Sequence, residues 1–365
     1  MPPRARVIVG SVWARLEAPD EVVEVVADAL AVEDPGAEYT PAFKARRWDG
    51  KERFFKRASR EFPSGLVRRV GRAVVAAGYE RPEVVWPPPA VGPPLAPGRS
   101  GVGWRGYQVE GCEAAWRARR SVLKAPTRSG KTEVGIEFVR RVGRRALWVT
   151  HRAGLRDQTA ERFRERLPGV RVCAPEGVAA TAAADGVVDV AVVNSLHGAL
   201  RASPGYLARY GCVVADEAHH AGSGTWQEVL RSCTEADYRL ALSATPETGN
   251  PVADLRIEGA FGPTYSLPGT MELASLGFVA RPRVVVLQVS VQSYPTYEEV
   301  RESVCPGWRG DPRRLSRLGG ALYREAYRRG VVENDARNRA AVSTAVVHAS
   351  AGERFLVLCT LVPHA

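Results

Sequence analysis

Ala125-Pro126-Thr127-Arg128-Ser129-Gly130-Lys131-Thr132 decides the fold. It follows the apolar run Ser121 to Lys124 and opens a helical pattern. That strand–turn–helix setting is the one in which a glycine-bearing loop cradles phosphates. The backbone N–H groups of Ser129, Gly130, Lys131 and Thr132 are expected to face a β-phosphate, helped by the positive end of the helix. Lys131 is expected to neutralise β/γ oxygens, and the Thr132 hydroxyl suits Mg²⁺. Thr127 and Arg128 complete the loop, with Arg128 in a slot often held by glycine. The chain has 5 lysines among its 51 basic residues, yet the one at this position is kept as lysine. A compact ammonium sits between phosphates where a planar guanidinium does not.

Strand-like apolar runs recur outward from this loop: Ala146 to Thr150, Val188 to Val193, Cys212 to Ala215 and Leu240 to Ser243. They are continuous, as strands buried on both faces should be, and helical stretches separate them. The expected class is therefore α/β with a parallel sheet, its ligands collecting at the carboxyl ends of the strands. Asp216 and Glu217 follow one such run. Asp216 is placed to hold Mg²⁺ and Glu217 to orient or deprotonate a water. His219 is read as a relay of nucleotide state, and His220 reads equally as a loop histidine. Thr150, His151 and Arg152 end another strand, and Asn194 and Ser195 a third. These residues suit sequence-independent contact with the phosphates of a single strand. Asn194-Ser195 reads as well as a cap for a helix starting at Leu196.

The residues N-terminal to the loop form a second unit. Residues 5 to 16 read as a strand, Asp20 to about Val32 as a helix, and Tyr39 to Arg57 as a hairpin turning at Asp49-Gly50. Ser64 is expected to cap a helix ending near Gly78, and Glu83 to Trp86 to form a last strand. Between Lys44 and Arg72 lie 11 basic and 3 acidic residues, interleaved with Trp48, Phe54, Phe55 and Phe62. Most of those aromatics are expected in a core and the arginines on nucleic acid. Pro87 to Pro97, with 6 prolines, reads as a stiff linker.

Composition bounds the rest. With 365 residues, 45% hydrophobic, the chain has room for two or three domains with real cores. A net charge of +11 favours a polyanionic partner. The 6 cysteines lack paired spacing, which fits a reducing cytoplasm and neither zinc nor disulfides. No apolar run approaches the ~18 residues of a membrane span, and no signal peptide opens the chain.

The motifs together resemble superfamily 2 helicases of the DEAD/DEAH-box type, over roughly residues 104 to 365. Arg105-Gly106-Tyr107-Gln108 resembles the element whose glutamine reads adenine. Residues 125 to 132 resemble motif I, Thr150-His151-Arg152 motif Ia, Asp216 to His219 motif II, and Ser243-Ala244-Thr245-Pro246 motif III. In that family Ser243 and Thr245 would couple ATP state to nucleic-acid grip. Tyr39 to Phe43, Trp48 to Gly50 and Phe62 to Leu66 resemble the accessory domain of phage UvsW-like helicases. The resemblance implies a RecA-like lobe that uses ATP and Mg²⁺ to remodel branched DNA or DNA–RNA hybrids. It divides the chain into an accessory domain (1–86), a linker (87–100), a first motor lobe (101–285), a connector with a basic helical segment at Arg309 to Arg329 (286–345) and the start of a second lobe (346–365), including a strand at Phe355 to Leu361. The Gln-x-x-Gly-Arg-x-x-Arg motif that supplies arginine fingers in that family does not occur, so the sequence as given reads as an incomplete motor. A non-catalytic DNA-binding module, the motor of a restriction or nuclease complex, and an RNA helicase are the alternatives.

Overall fold

The computed structural model describes residues 5–88, 90–96, 98, 103–281, 295–306 and 319–352. The chain divides into two compact units, Met1–Pro282 and Arg283–Ala365.

The larger unit holds the parallel sheet. In chain order its elements are α4 (Gly106–Ala118), β7 (Arg120–Lys124), α5 (Lys131–Val142), β8 (Ala146–Thr150), α6 (Ala153–Arg166), β9 (Val172–Cys173), α7 (Gly177–Ala183), β10 (Val188–Val192), α8 (Val193–Ala202), β11 (Cys212–Asp216), α9 (Gly224–Ser232), β12 (Tyr238–Ser243), α10 (Pro251–Phe261), β13 (Thr264–Ser266) and α11 (Thr270–Ser275). The seven strands pair in the order β13-β7-β12-β11-β8-β10-β9, all parallel. This is the α/β parallel sheet that the continuous apolar runs predict, with the RecA-like arrangement that the resemblance implies. Alternate side chains serve two cores: Trp148, Val214 and Leu240 on one face, Leu147, Val149 and Val213 on the other. Close packing of α5 on the sheet requires Gly135, where a Cβ would lie 2.6 Å from the Trp148 ring.

The N-terminal residues differ from expectation in four places. Residues 5 to 16 are a hairpin, β1 (Arg6–Val9) and β2 (Trp13–Glu17), because Gly10 breaks the run and its N–H bonds the Trp13 carbonyl at 2.9 Å. The helix α1 (Asp20–Ala29) stops early, and β3 (Ala31–Glu33) takes Val32 into a ladder with Glu52. The expected hairpin at Tyr39 to Arg57 is absent. Thr40 instead caps the short helix α2 (Pro41–Lys44), with Pro41 in the first helical position, and β4 (Lys51–Arg53) pairs back onto β3. β5 (Glu61–Pro63), α3 (Val67–Ala76) and β6 (Glu83–Val85) complete this part, with a sheet order β5-β2-β1-β6. Ser64 lies inside a 3₁₀ turn and caps nothing; its hydroxyl is buried without a partner.

This small sheet is docked on the parallel-sheet lobe. Its core includes Phe54, Phe55 and Phe62 together with Val252 and Leu255 of α10. Arg69 pairs with Glu258 at 2.7 Å, and the buried Arg120 donates to the Gly10 and Ser11 carbonyls. The proline-rich segment is pinned to the lobe. The Gly92 N–H bonds Val142 O at 2.9 Å, and Arg140 donates to Ala96 O at 2.9 Å.

The second unit contains α12 (Tyr297–Val304), entered through a capping box at Thr296 and Glu299, then helices Gly319–Tyr327 and Asp335–Ser350, the last capped by Asn334. The expected strand at Phe355 to Leu361 lies outside the described residues, as does the first half of the basic segment, residues 309–318.

Docking depends most on Gly65. A Cβ there would lie 2.0 Å from Glu258 O and 2.7 Å from Gly259 O, both backbone atoms of α10. Gly65→Ala is therefore expected to lower stability by about 2 kcal/mol or more and to open the 87–97 segment to protease. Unchanged melting and unchanged cleavage of that segment would refute the docked arrangement.

Candidate functional site

The motifs from the phosphate loop onward fall at carboxyl ends of the parallel sheet. The loop after β7 turns through Arg128, whose φ of 68° is left-handed, and Gly130 at 86°. Arginine thus adopts the backbone that glycine favours in this slot. The Ala125 N–H bonds Ser243 O at 2.9 Å, tying the loop to the end of β12. Lys131 Nζ bonds Ala125 O at 3.1 Å and reaches Pro126 O at 3.5 Å. The ammonium thus rests on the loop's own carbonyls.

The carboxylates come from the end of β11. Asp216 is buried, and Oδ1 accepts from the Glu217 N–H at 3.0 Å. Burial, then the neighbouring Glu217 charge, pushes the Asp216 carboxyl up to about 6, against a smaller pull from Lys131. Glu217 has φ 53° and ψ 55°, a left-handed backbone that is rare for a residue with a Cβ. This turn aims its side chain beside Asp216. Thr127, Lys131, Thr132, Asp216 and Glu217 line one cavity of about 520 Å³, closed on its other side by Gln158 and neighbours on α6. A hydroxyl and a buried carboxylate in one polar cavity are the hard oxygen donors Mg²⁺ takes, so the residues present fit that ion.

Ser243 joins the motifs. It is fully buried, its Oγ lies 3.5 Å from His219 Nδ1, and it accepts from the Thr245 N–H at 3.2 Å. His219 Nδ1 in turn lies 3.4 Å from Glu217 Oε2. Thr245 itself is exposed.

Three expected site residues are placed differently. Arg105, Gln108 and Ser129 do not line the cavity. Gln108 Oε1 accepts from the Arg105 N–H at the start of α4, and its Nε2 donates to Ser129 O at 2.9 Å and so holds α4 to the loop; both ends of the amide are occupied. Tyr107 adds a hydroxyl bond to the same carbonyl at 2.8 Å, and Arg105 lies over the Phe278 ring. Ser129 is fully buried with its hydroxyl unpartnered. Among the strand contacts, Thr150 is also fully buried and its hydroxyl donates to Arg152 O, so it shapes the turn rather than facing a phosphate. Arg152 and Asn194 are exposed and Ser195 is half-buried. Asn194 and Ser195 lie in the first turn of α8, whose N-cap is Val192, so they are not caps.

Two features had no counterpart in the sequence reading. His151, His220 and His219 stack in a row, with ring centroids 4.4 and 4.1 Å apart. Burial, then neighbouring positive charge, holds His151 and His220 below the usual histidine range. Arg256 on α10 donates to the Gly222 carbonyl in the turn after Glu217 and to Glu52 on β4. Neither could be found from spacing, because the partners are far apart in sequence.

Comparison with known proteins agrees with this geometry. Residues 102–248 match the family described as type III restriction enzyme, res subunit. A search of curated proteins finds no match. Two crystal structures of the UvsW helicase of bacteriophage T4 share the fold. The first has a TM-score of 0.61 at 18% identity, covering 72% of this chain and 100% of that one. The second has a TM-score of 0.60 at 17% identity, covering 72% of this chain but only 57% of that one. The family match covers 147 of the 365 residues. The fold of the chain is UvsW-like.

The Asp216 carboxyl gives a pH test of the site. Its folded value of about 6 lies above the ordinary 3.8. Its contribution to stability is therefore present in full at low pH and is lost as pH rises through about 6. Without metal or nucleotide, Asp216→Asn is expected to stabilise the fold by about 3 kcal/mol near pH 8 and by about half that near pH 5. Denaturant melts at the two pH values measure it, and a gain independent of pH would contradict the burial described.

Proposed function

We propose that the chain is the ATP-hydrolysing, DNA-engaging part of a superfamily 2 helicase or translocase that acts on branched or hybrid DNA. The reading is supported most by one observation: Lys131 and Thr132 face Asp216 and Glu217 across a single cavity. Lys131 leaves its loop carbonyls to pair with β/γ-phosphate oxygens. Thr132 and Asp216 would hold Mg²⁺, which would supply charge neutralisation at the transferring phosphoryl group. Glu217 orients the attacking water and takes its proton. His219 touches both Glu217 and Ser243, so a change at the carboxylate reaches the end of β12 and, through Ala125, the phosphate loop. Gln108 positions the loop through Ser129. Arg152, Asn194 and Ser195, exposed or half-exposed at neighbouring strand ends, take phosphates of one strand.

In this reading residues 1–86 are an accessory DNA-binding domain, 87–100 a linker, 101–285 the first motor lobe, 286–345 a connector and 346–365 the start of a second lobe. A cytoplasmic location is part of the proposal, supported by cysteines that lack paired spacing. Among the described residues no helix is long and apolar enough to cross a membrane. A second reading, the motor subunit of a restriction complex, is favoured by the description of the matching family. Stimulation by forked DNA well beyond that by linear duplex favours the first reading, and equal stimulation the second.

The experiment is DNA-stimulated phosphate release. Lys131→Ala is expected to abolish ATP binding. Glu217→Gln is expected to retain binding and lose about 10²–10⁴ in turnover. A Lys131→Ala protein with parental nucleotide affinity sinks the proposal, and a Glu217→Gln protein with parental turnover removes Glu217 from its role.

A further inference from the structure

We propose that the loop from Phe43 to Trp48, on the N-terminal part and separate from the strand-end contacts, is a second nucleic-acid site that grips an unpaired strand. This rests on the DNA reading above and names a further place where DNA is held.

The loop is built rather than loose. Thr40 caps α2, the Arg46 N–H bonds Phe43 O at 2.9 Å, and the Arg47 N–H bonds Ala42 O at 2.9 Å. Arg46 closes it with a left-handed φ of 53°. Trp48 stands outside the core that takes Phe54, Phe55 and Phe62. Its indole is fixed by an Nε1–H bond to Lys51 O at 3.0 Å, and Phe43 is 39% exposed. Phe43, Lys44, Arg46, Arg47 and Trp48 line an open cavity of about 620 Å³.

The charges there are uncompensated. Nearby arginines are all committed: Arg53 to Asp49, Arg57 to Glu24, and Arg60 to Asp20. Lys44, Arg46 and Arg47 are exposed and have no carboxylate partner among the described residues. Of the two acids that also line the cavity, Asp49 is held by Arg53 and Glu38 by the Tyr39 hydroxyl. Three free cations beside the fixed Trp48 ring and the exposed Phe43 ring can take phosphates and stack bases without reading sequence. A duplex hides its base faces, so the rings select unpaired nucleotides.

The test is fluorescence anisotropy of the full chain with a labelled oligothymidylate of about 20 nucleotides, over a salt series. The combined variant Lys44→Ala, Arg46→Gly, Arg47→Ala uses glycine where the backbone is left-handed. It is expected to weaken binding at least about 10-fold and to flatten the salt slope by about 2, since each single-strand phosphate contact contributes ~0.7. Arg47→Glu alone, a surface change, is the second variant and should weaken binding in the same direction. Parental binding by both variants overturns this site while leaving the DNA reading intact. Failure of the unsubstituted chain to bind any DNA overturns both. Binding to vesicles of phosphatidylserine and phosphatidylcholine that depends on these three residues, without binding to the oligonucleotide, assigns the surface to a membrane and overturns the proposal.

Discussion

One buried serine holds the site together. Ser243 ends β12, the strand between those that carry the phosphate loop and the acidic pair. Its carbonyl receives the first N–H of the loop, and its hydroxyl sits between His219 and the Thr245 N–H. A residue there must be small, polar and fully enclosed. A larger side chain would part β7 from β11, and an apolar one would leave the Thr245 N–H and His219 without their shared neighbour. The adjacent surface bond from Lys124 to Glu247, at 2.8 Å, links the end of β7 to the segment after β12 but is exposed, so it contributes less.

The lobe keeps unfavourable geometry where chemistry is expected. Arg128 and Glu217 both hold left-handed backbone, and Asp216 keeps a carboxyl in a place that penalises its charge. Each costs on the order of 1–3 kcal/mol. All three border one cavity. A parallel sheet buried on both faces, with Leu147, Trp148 and Val213 fully enclosed, can tolerate that strain at its rim.

The sheet was legible because strands buried on both faces are continuous apolar runs. Ala146 to Thr150 is recovered to the residue, and the other expected strands to within two. That the loop after β7 and the acidic pair after β11 would lie at strand ends was legible because each directly follows an apolar run. What was not legible depends on distant partners. Residues 51–53 pair with 31–33 across a short helix, and no local pattern announces that ladder. Gln108 carries the right side chain at the right spacing, but its amide is engaged by Arg105 and Ser129. Thr150 likewise has the right chemistry and the wrong exposure. Whether a side chain faces outward is a tertiary fact. Spacing restricts it only within an amphipathic element, and strands without alternation supply no such restriction.

The basic charge invites a simpler inference than the structure allows. Subtracting 5 lysines from 51 basic residues leaves 46 arginines, and many of them are structural. Arg239 is buried and donates to three carbonyls, those of Leu230, Cys233 and Ala236. Arg120 joins the two sheets, Arg140 and Arg141 enclose Glu137, and Arg256 spans β4 and the turn after Glu217. A guanidinium with five donors in a fixed fork can satisfy several carbonyls at once, which an ammonium does with less order. Net charge therefore overstates the surface available to a polyanion. The relevant quantity is the set of cations with no internal partner, and the exposed Lys44, Arg46 and Arg47 belong to it. In this arginine-rich chain Arg120, Arg140, Arg239 and Arg256 serve as internal braces, so their charge is not available to a polyanion.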